Sequence, residues 1–189
     1  MPLLERRSIR TLIDLGSGGG FPGLPLAAAL AASRVRLIES VAKKARFLQT
    51  VVEATGLGDR VEVLPVRAET LAVDRARTGR WHAVTARAVA SLADLVELSF
   101  PLLGPGGCLI AWKSATAVDG ATQELAAARR AISAIDPDGR IEIERPVPGG
   151  AGNAQAVLSD HRLVIVTRSD APIAGRWPRD PAARRRAPW

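Results

Sequence analysis

A glycine-rich turn directly follows the first apolar stretch of the chain. Residues 11–15 are typical of a buried strand, and residues 16–20 read Gly-Ser-Gly-Gly-Gly. A turn of small residues between a strand and a helix points backbone N–H groups outward, and the missing side chains let a ligand approach the backbone closely. Asp14, at the strand end, can accept hydrogen bonds from that ligand or hold the turn. The predicted ligand-binding residues here are Asp14, Gly16, Ser17 and Gly18.

A carboxylate follows at the end of the next predicted strand. Glu39 lies 23 residues after Gly16 and ends the apolar stretch at residues 35–39. A carboxylate in this position can accept hydrogen bonds from both hydroxyl groups of a ribose. The turn and the carboxylate together therefore indicate a cofactor that contains a nucleoside. NAD, FAD and S-adenosylmethionine all satisfy this pattern.

The spacing of the glycines separates these cofactors. Counted from the strand end, the dinucleotide fingerprint needs a third glycine where this chain has Phe21. A shifted match at Gly18, Gly20 and Gly23 lies two residues too late and contains a proline. A pyrophosphate therefore fits poorly, and the turn favours a ribose with a methionine tail, as in S-adenosylmethionine.

These residues require a sheet whose parallel strands end at one edge. Short apolar runs alternate with helical patterns, which is typical of βαβ units, so we predict an α/β, Rossmann-like fold. The sheet is expected to be seven-stranded and mainly parallel, with helices on both faces. The predicted strands are residues 11–15, 35–39, 61–64, 82–86, 108–112, 141–144 and 163–167. The predicted helices are residues 25–32, a helix from an N-cap at Ser40 to about Thr55, one from Ser91 to the turn at residues 102–107, and one marked by Leu125, Arg129, Ile132 and Ile135.

Four segments resemble the motifs of one bacterial family. The turn at residues 102–107, which leads into the fifth predicted strand, is a familiar feature of class I methyltransferase domains. Residues 12–26, 39–48, 67–69 and 85–92 are similar in order and spacing to the glucose-inhibited division protein B family, and residues 176–179 are similar to that family's aromatic-Pro-Arg ending. The resemblance covers nearly the whole chain.

The resemblance implies a function and a set of binding residues. Members of the family transfer the methyl group of S-adenosylmethionine to N7 of a guanine in the decoding region of 16S ribosomal RNA. Position by position, Gly16 and Phe21 would line the cofactor pocket, Ala68 and Glu69 would contact the adenine, Arg87 would reach the cofactor, and Glu39 would hold the ribose. Guanine N7 carries a lone pair and no proton, so the reaction needs positioning rather than a general base, and no catalytic residue is predicted.

Two departures from the family pattern bear on this expectation. His82 stands where the family usually has an acidic residue. The family usually has a helical segment of several dozen residues before the first strand, and this sequence begins close to that strand. An inactive remnant that retains cofactor or RNA binding is therefore an alternative, and so is a methyltransferase acting on a small molecule or a protein.

The charge of the chain favours a polyanionic partner. The formal net charge is +7, and residues 176–186 contain five arginines against one acid. Small-subunit ribosomal RNA, alone or in the 30S subunit, is the expected partner. A solvated basic tail is the alternative explanation. The predicted RNA-binding residues are Lys43, Lys44, Arg46, Lys113, Arg179, Arg184, Arg185 and Arg186.

Length and composition set further bounds. A chain of 189 residues suits one domain, predicted at residues 1–168, followed by a basic arm at residues 169–189 that is either laid on the domain or disordered. Cys108 is the single cysteine and is expected in the core, and with two histidines a metal site is not expected. With no membrane-spanning stretch or signal peptide, we expect a cytoplasmic monomer.

Overall fold

The computed structural model describes residues 8–74, 78–146 and 158–189. Its strands are β1 Thr11–Leu15, β2 Arg34–Ile38, β3 Val61–Leu64, β4 Trp81–Arg87, β5 Leu103–Ser114, β6 Arg140–Glu144 and β7 His161–Thr167. They form a sheet in the order β3-β2-β1-β4-β5-β7-β6. Neighbours from β3 to β5 pair in parallel, and β7 is antiparallel to both β5 and β6. The predicted mainly parallel seven-stranded sheet is confirmed.

The helices lie on both faces of this sheet, also as predicted. Those with described bounds are α1 Gly23–Ala29, α2 Ala42–Ala54, α3 Ala68–Val73, α4 Leu92–Ser99, α5 Ala115–Val118, α6 Gln123–Ile135 and α7 Pro181–Arg186. None of the helices in the described ranges combines the length and the apolar character needed to span a membrane.

The core has two parts because side chains alternate across each strand. On one face Leu12 packs with residues of α1 and α2, and on the other Ile13 packs with residues of α4 and α6. Cys108 is buried in β5, in agreement with its predicted core position. The core therefore lies on both sides of the sheet, under α1 and α2 on one face and under α4 and α6 on the other.

Several predicted boundaries were wrong, and a local hydrogen bond accompanies the clearest case. Ser40 is not the N-cap of α2; that position belongs to Val41, whose N–H donates to a Glu39 carboxylate oxygen. Helix α1 also begins and ends earlier than the predicted residues 25–32. The short helices α3 and α5 were not predicted, because a few residues carry too little periodicity to indicate a helix.

The glycines at residues 104–107 are part of β5 rather than a separate turn. Pairing between β4 and β5 shifts register here, from Trp81 opposite Leu103 to Ala83 opposite Cys108. A Cβ atom on Gly107 would lie 2.8 Å from the carbonyl oxygen of Trp81. The absent side chain therefore lets the two strands approach, and the predicted fifth strand begins five residues earlier than expected.

The last segment packs back against α4. Glu97 of α4 is fully buried, and its carboxylate accepts bonds from the Arg179 backbone N–H at 2.6 Å and from Arg179 Nη2 at 2.7 Å. The indole N–H of Trp189 donates to the same carboxylate at 2.7 Å. Of the two forms considered for residues 169–189, the structure therefore has the arm laid on the domain.

The Glu97 cluster leads to a stability prediction. We expect Glu97→Gln to lower the free energy of unfolding by about 3 kcal/mol, because removing one charge leaves the half-buried Arg179 guanidinium without a charged partner. Urea unfolding measures this. Glu62→Gln is the matched control: Glu62 pairs with Arg36 at 2.5 Å but is 51% exposed, so the loss should stay below about 1 kcal/mol. Equal losses in the two variants would contradict the prediction.

Candidate functional site

The carboxyl ends of β1, β2 and β4 meet at one edge of the sheet, where ligands bind in open α/β folds. The turn after β1 lies at this edge and is tied to β2 by a 2.9 Å bond from the Ser17 N–H to the Ile38 carbonyl. Gly16 has a φ of +66°, and a Cβ atom there would lie 2.6 Å from Val89 Cγ2. The turn therefore requires glycine at this position for both conformation and space.

Glu39 holds the turn from the neighbouring strand. Its Oε2 accepts a bond from the Gly18 N–H at 2.9 Å, and its Oε1 accepts one from the Val41 N–H at 2.7 Å. Each carboxylate oxygen has two lone pairs, so both retain capacity for a ligand hydroxyl. Glu39 thus organises the turn and presents an acceptor beside it.

Asp14 lies behind the turn instead of facing the ligand space. It is buried, and Oδ1 accepts a bond from the Thr85 hydroxyl at 2.8 Å. Burial raises the pKa of Asp14 to about 6, against the lowering effect of the Thr85 bond. It lines neither of the two cavities at this edge. The Thr85 bond joins β1 to β4, and the Ser17 hydroxyl of the turn donates to the Asp14 backbone carbonyl at 3.0 Å.

Two adjoining cavities open at this edge and share Gly16 and Val89. The loop cavity, about 350 Å³, brings together most of the residues predicted around the turn. They are Gly16, Ser17, Gly18, Phe21, Glu39 and Arg87, and the RNA candidate Lys44 lines it as well.

The larger, strand-end cavity has a volume of about 710 Å³ and contains the predicted Ala68 and Glu69 at the start of α3. Its other walls were not predicted. One comes from Ser40 and Val66, which follow β2 and β3, and another comes from the end of the chain, including Trp189. Ser40 and Val66 could have been predicted, because they follow parallel strands. Nothing in the local sequence predicted that Trp189 lines this cavity.

The two cavities fit a nucleoside with a short polar tail. The glycine turn leaves backbone open beside a buried carboxylate, and the strand-end cavity has mixed apolar and charged walls. A ribose can use the lone pairs of Glu39, and an aromatic base can occupy the space next to Ala68. The chemistry of these donors and acceptors fits S-adenosylmethionine.

The predicted RNA-binding cations fall into two groups. Lys43, Lys44, Arg46, Arg185 and Arg186 are exposed. The side chains of the other three form ion pairs within the chain. Lys113 Nζ lies 2.5 Å from Glu124 Oε1, Arg179 is held by Glu97, and Arg184 Nη2 lies 3.0 Å from Glu69 Oε1. Their charges are offset by carboxylates packed against them.

Phe47 is an exposed aromatic side chain that sequence reasoning did not select. It is 53% exposed on α2, one turn beyond Lys43 and Lys44. The signal was available, because an aromatic residue on the polar face of an amphipathic helix contributes nothing to the core.

His82, the departure from the family pattern, makes a polar contact in this chain. Its Nδ1 lies 2.7 Å from the Thr11 hydroxyl, and its backbone N–H donates to the same oxygen. It therefore joins β4 to β1 at the amino-terminal edge, opposite the cavities.

Solved structures with this architecture define the class of fold. An S-adenosylmethionine-dependent O-methyltransferase from Thermotoga maritima matches with a TM-score of 0.64 and 16% identity over 91% of this chain and 65% of that one. An O-methyltransferase from Bacillus cereus, solved with SAH, matches with a TM-score of 0.63 and 19% identity over 88% of this chain and 78% of that one. The fold is the Rossmann-like fold of S-adenosylmethionine-dependent methyltransferases.

Sequence comparison gives the family. The profile of the GidB family, rRNA small subunit methyltransferase G, matches residues 1–135. The protein of that name from Chloroflexus aggregans is 42% identical over 89% of this chain and 65% of its own length, and that from Pelotomaculum thermopropionicum is 34% identical over 94% and 69%. The chain belongs to this family and spans about two thirds of the length of these relatives.

The buried Asp14 makes stability depend on pH. Its pKa is about 6 when folded, against an ordinary value of 3.8. Between these values the folded state binds more protons than the unfolded state. The free energy of unfolding is therefore highest at low pH, where Asp14 is protonated in both states, and it falls as the pH rises above 3.8 and through about 6. The whole loss is about 3 kcal/mol, of which about 2 kcal/mol falls between pH ~4.5 and ~7.5.

Asp14→Asn should remove this loss, because the amide does not ionise. Urea unfolding at both pH values, compared with the unsubstituted chain, isolates the effect. Asp138→Asn, at an exposed aspartate, is the control and should keep the original pH dependence. If Asp14→Asn and the unsubstituted chain differ in free energy of unfolding by the same amount at both pH values, the pH dependence does not come from Asp14.

Proposed function

We propose that this protein transfers the methyl group of S-adenosylmethionine to N7 of a guanine in 16S ribosomal RNA, in the decoding region. The observation that carries the proposal is the Glu39 carboxylate, which is bonded to the glycine turn and borders the loop cavity in a chain of this family. The cytoplasm, where ribosomal subunits are assembled, is the proposed location, and a monomer is the proposed form.

The residues at the strand ends would hold the cofactor in separate parts. Glu39 would accept bonds from the ribose hydroxyls, and Ala68 and Glu69 would lie at the adenine. The glycine turn, with Phe21 and Arg87 across the loop cavity, would hold the methionine tail. The bound cofactor supplies an electrophilic methyl group on a sulfonium.

The chemistry places modest demands on the protein. Guanine N7 has a free lone pair, so no proton must leave before attack, and alignment of the reacting atoms provides most of the acceleration. The buried carboxylate of Asp14, at the end of β1, is engaged with Thr85. It would act by keeping the turn in place, and the proposal assigns no general base.

An exposed basic surface next to the loop cavity would contact the RNA. Lys43, Lys44 and Arg46 are exposed on the first two turns of α2, and Lys44 also lines the loop cavity. Phosphate contacts would supply affinity without choosing the base. Phe47, exposed on the same helix, would offer a stacking surface to an unpaired nucleotide.

Cofactor binding tests the first half of the proposal. Isothermal titration of the full chain should show binding of S-adenosylmethionine and no binding of NAD. Glu39→Ala should weaken binding by about 1–3 kcal/mol, because charge-assisted hydrogen bonds are lost. Glu53→Ala, at an exposed position near the end of α2, should leave the affinity unchanged. Uptake of NAD in preference to S-adenosylmethionine would refute the proposed cofactor.

RNA binding and methylation test the second half. The chain should methylate small subunits that lack the N7 methyl group, and binding to 16S ribosomal RNA should weaken steeply with salt. Replacing Lys43 and Lys44 by Ala should reduce the slope of log K against log salt by about 1–2, since each lost phosphate contact contributes about 0.7–0.9. The matched control replaces Arg34 and Arg80, both exposed near the opposite edge of the sheet.

The other outcomes separate the alternatives. A flat salt response with methyl transfer to a small molecule or a protein would favour an enzyme of different substrate class. Tight cofactor binding without transfer to undermethylated subunits would favour a chain that binds but does not catalyse. An equal reduction of the slope in the control variant would remove the α2 surface from the RNA contact.

A further inference from the structure

The strand-end cavity is walled on one side by the end of the chain. Arg184 and Arg185 of α7, together with Pro188 and Trp189, line it along with Ser40 and Glu69. Residues that follow β7, the last strand in the chain, thus line the same cavity as residues that follow β1, β2 and β3. The cavity exists in this form only while the arm is docked.

The arm is held in place by contacts of Trp189 and Arg179 with α4 and with each other. Trp189 donates its indole N–H to the buried Glu97 at 2.7 Å, and its ring lies 5.8 Å from that of Trp177. The Arg179 guanidinium lies 4.2 Å from the centre of the Trp189 ring. These contacts fix the wall as a rigid surface.

Arg184 connects this wall to the carboxylates across the cavity. Its Nη2 donates to Glu69 Oε1 at 3.0 Å, and its Nη1 lies 3.8 Å from Asp94 Oδ1. The Arg184 side chain is 10% exposed, so the guanidinium is largely removed from solvent. Arg184 therefore restrains Glu69 through one oxygen and leaves the lone pairs of Oε2 for another donor.

We propose that Arg184 is a positioning residue that holds Glu69 to accept a hydrogen bond from the exocyclic amino group of adenine, so that the docked arm makes the cavity selective for an adenine nucleoside. This inference rests on the proposed function, because it concerns the nucleoside end of the same cofactor.

The selectivity follows from the chemistry at position 6 of the purine. Adenine carries an amino group there and donates, whereas hypoxanthine carries a carbonyl oxygen and accepts. A fixed carboxylate favours the amino group and repels the carbonyl oxygen, so attraction and repulsion both contribute to the choice. A carboxylate free to rotate away would lose the repulsive part first.

The test compares S-adenosylhomocysteine with S-inosylhomocysteine by isothermal titration of the full chain. The inosyl compound has a carbonyl oxygen in place of the 6-amino group and a proton on N1. The unsubstituted chain should prefer the adenosyl compound by about tenfold or more, as expected for a hydrogen bond to a charged group. Arg184→Gln should reduce the preference to below about threefold. Glu69→Gln should also reduce it, since an amide can turn its NH₂ toward the carbonyl oxygen.

A control and a second readout separate positioning from a general effect on folding. Arg176→Gln changes an exposed arginine of the arm that does not line the cavity, and it should keep the full preference. Urea unfolding shows whether Arg184→Gln is folded. If Arg184→Gln does not fold, Glu69→Gln still tests the inference, because Arg184 remains in place in that variant.

Each result has one meaning. Binding of S-adenosylhomocysteine with a preference unchanged in folded Arg184→Gln, or unchanged in Glu69→Gln, overturns the inference and leaves the proposed function standing. A preference lost equally in Arg176→Gln also overturns it. Failure of the unsubstituted chain to bind S-adenosylhomocysteine at all overturns the proposed function and this inference with it.

Discussion

The Glu39 carboxylate joins three parts of the chain that the sheet brings to one edge. It lies at the end of β2, and its two oxygens accept the N–H groups of Gly18 and Val41. A glycine-rich turn loses more conformational entropy on folding than other sequences do, so its ordered form needs such bonds. The same contact that starts α2 therefore fixes the turn, and the binding edge is formed before any ligand arrives.

Burial behind the turn has an electrostatic consequence. The space that Gly16 and Gly23 leave is filled closely by Val89 and by the Asp14 side chain, respectively. Asp14 is thereby removed from water, which raises its pKa to about 6. Ionisation of the buried Asp14 near neutral pH lowers the free energy of unfolding. The protein tolerates this loss at a position next to a turn that must keep one conformation.

Some of the basic residues form ion pairs within the chain, and others are exposed. Arg179 and Arg184 anchor the arm to carboxylates of α4 and α3, and Lys113 donates both to Glu124 and to the Ala90 carbonyl. These three residues count toward the formal charge of +7, but each is paired with a carboxylate. Their contribution to the attraction of a polyanion is therefore smaller than the formal charge implies. The exposed cations Lys43, Lys44 and Arg46 of α2 lie beside the loop cavity, which Lys44 lines.

The sequence by itself determined the sheet, the glycine turn, Glu39 and the family, because each of these depends on local periodicity or on short spacing along the chain. Helix boundaries were predicted less accurately, as at Ser40, because α2 has Val41 as its N-cap and no side-chain cap bond that a sequence pattern could indicate. Only the tertiary structure decided which arginines face solvent and that Trp189 walls a cavity. Those outcomes rest on contacts between residues as far apart as 82 and 115 positions, and no local pattern records which carboxylate a distant arginine will meet.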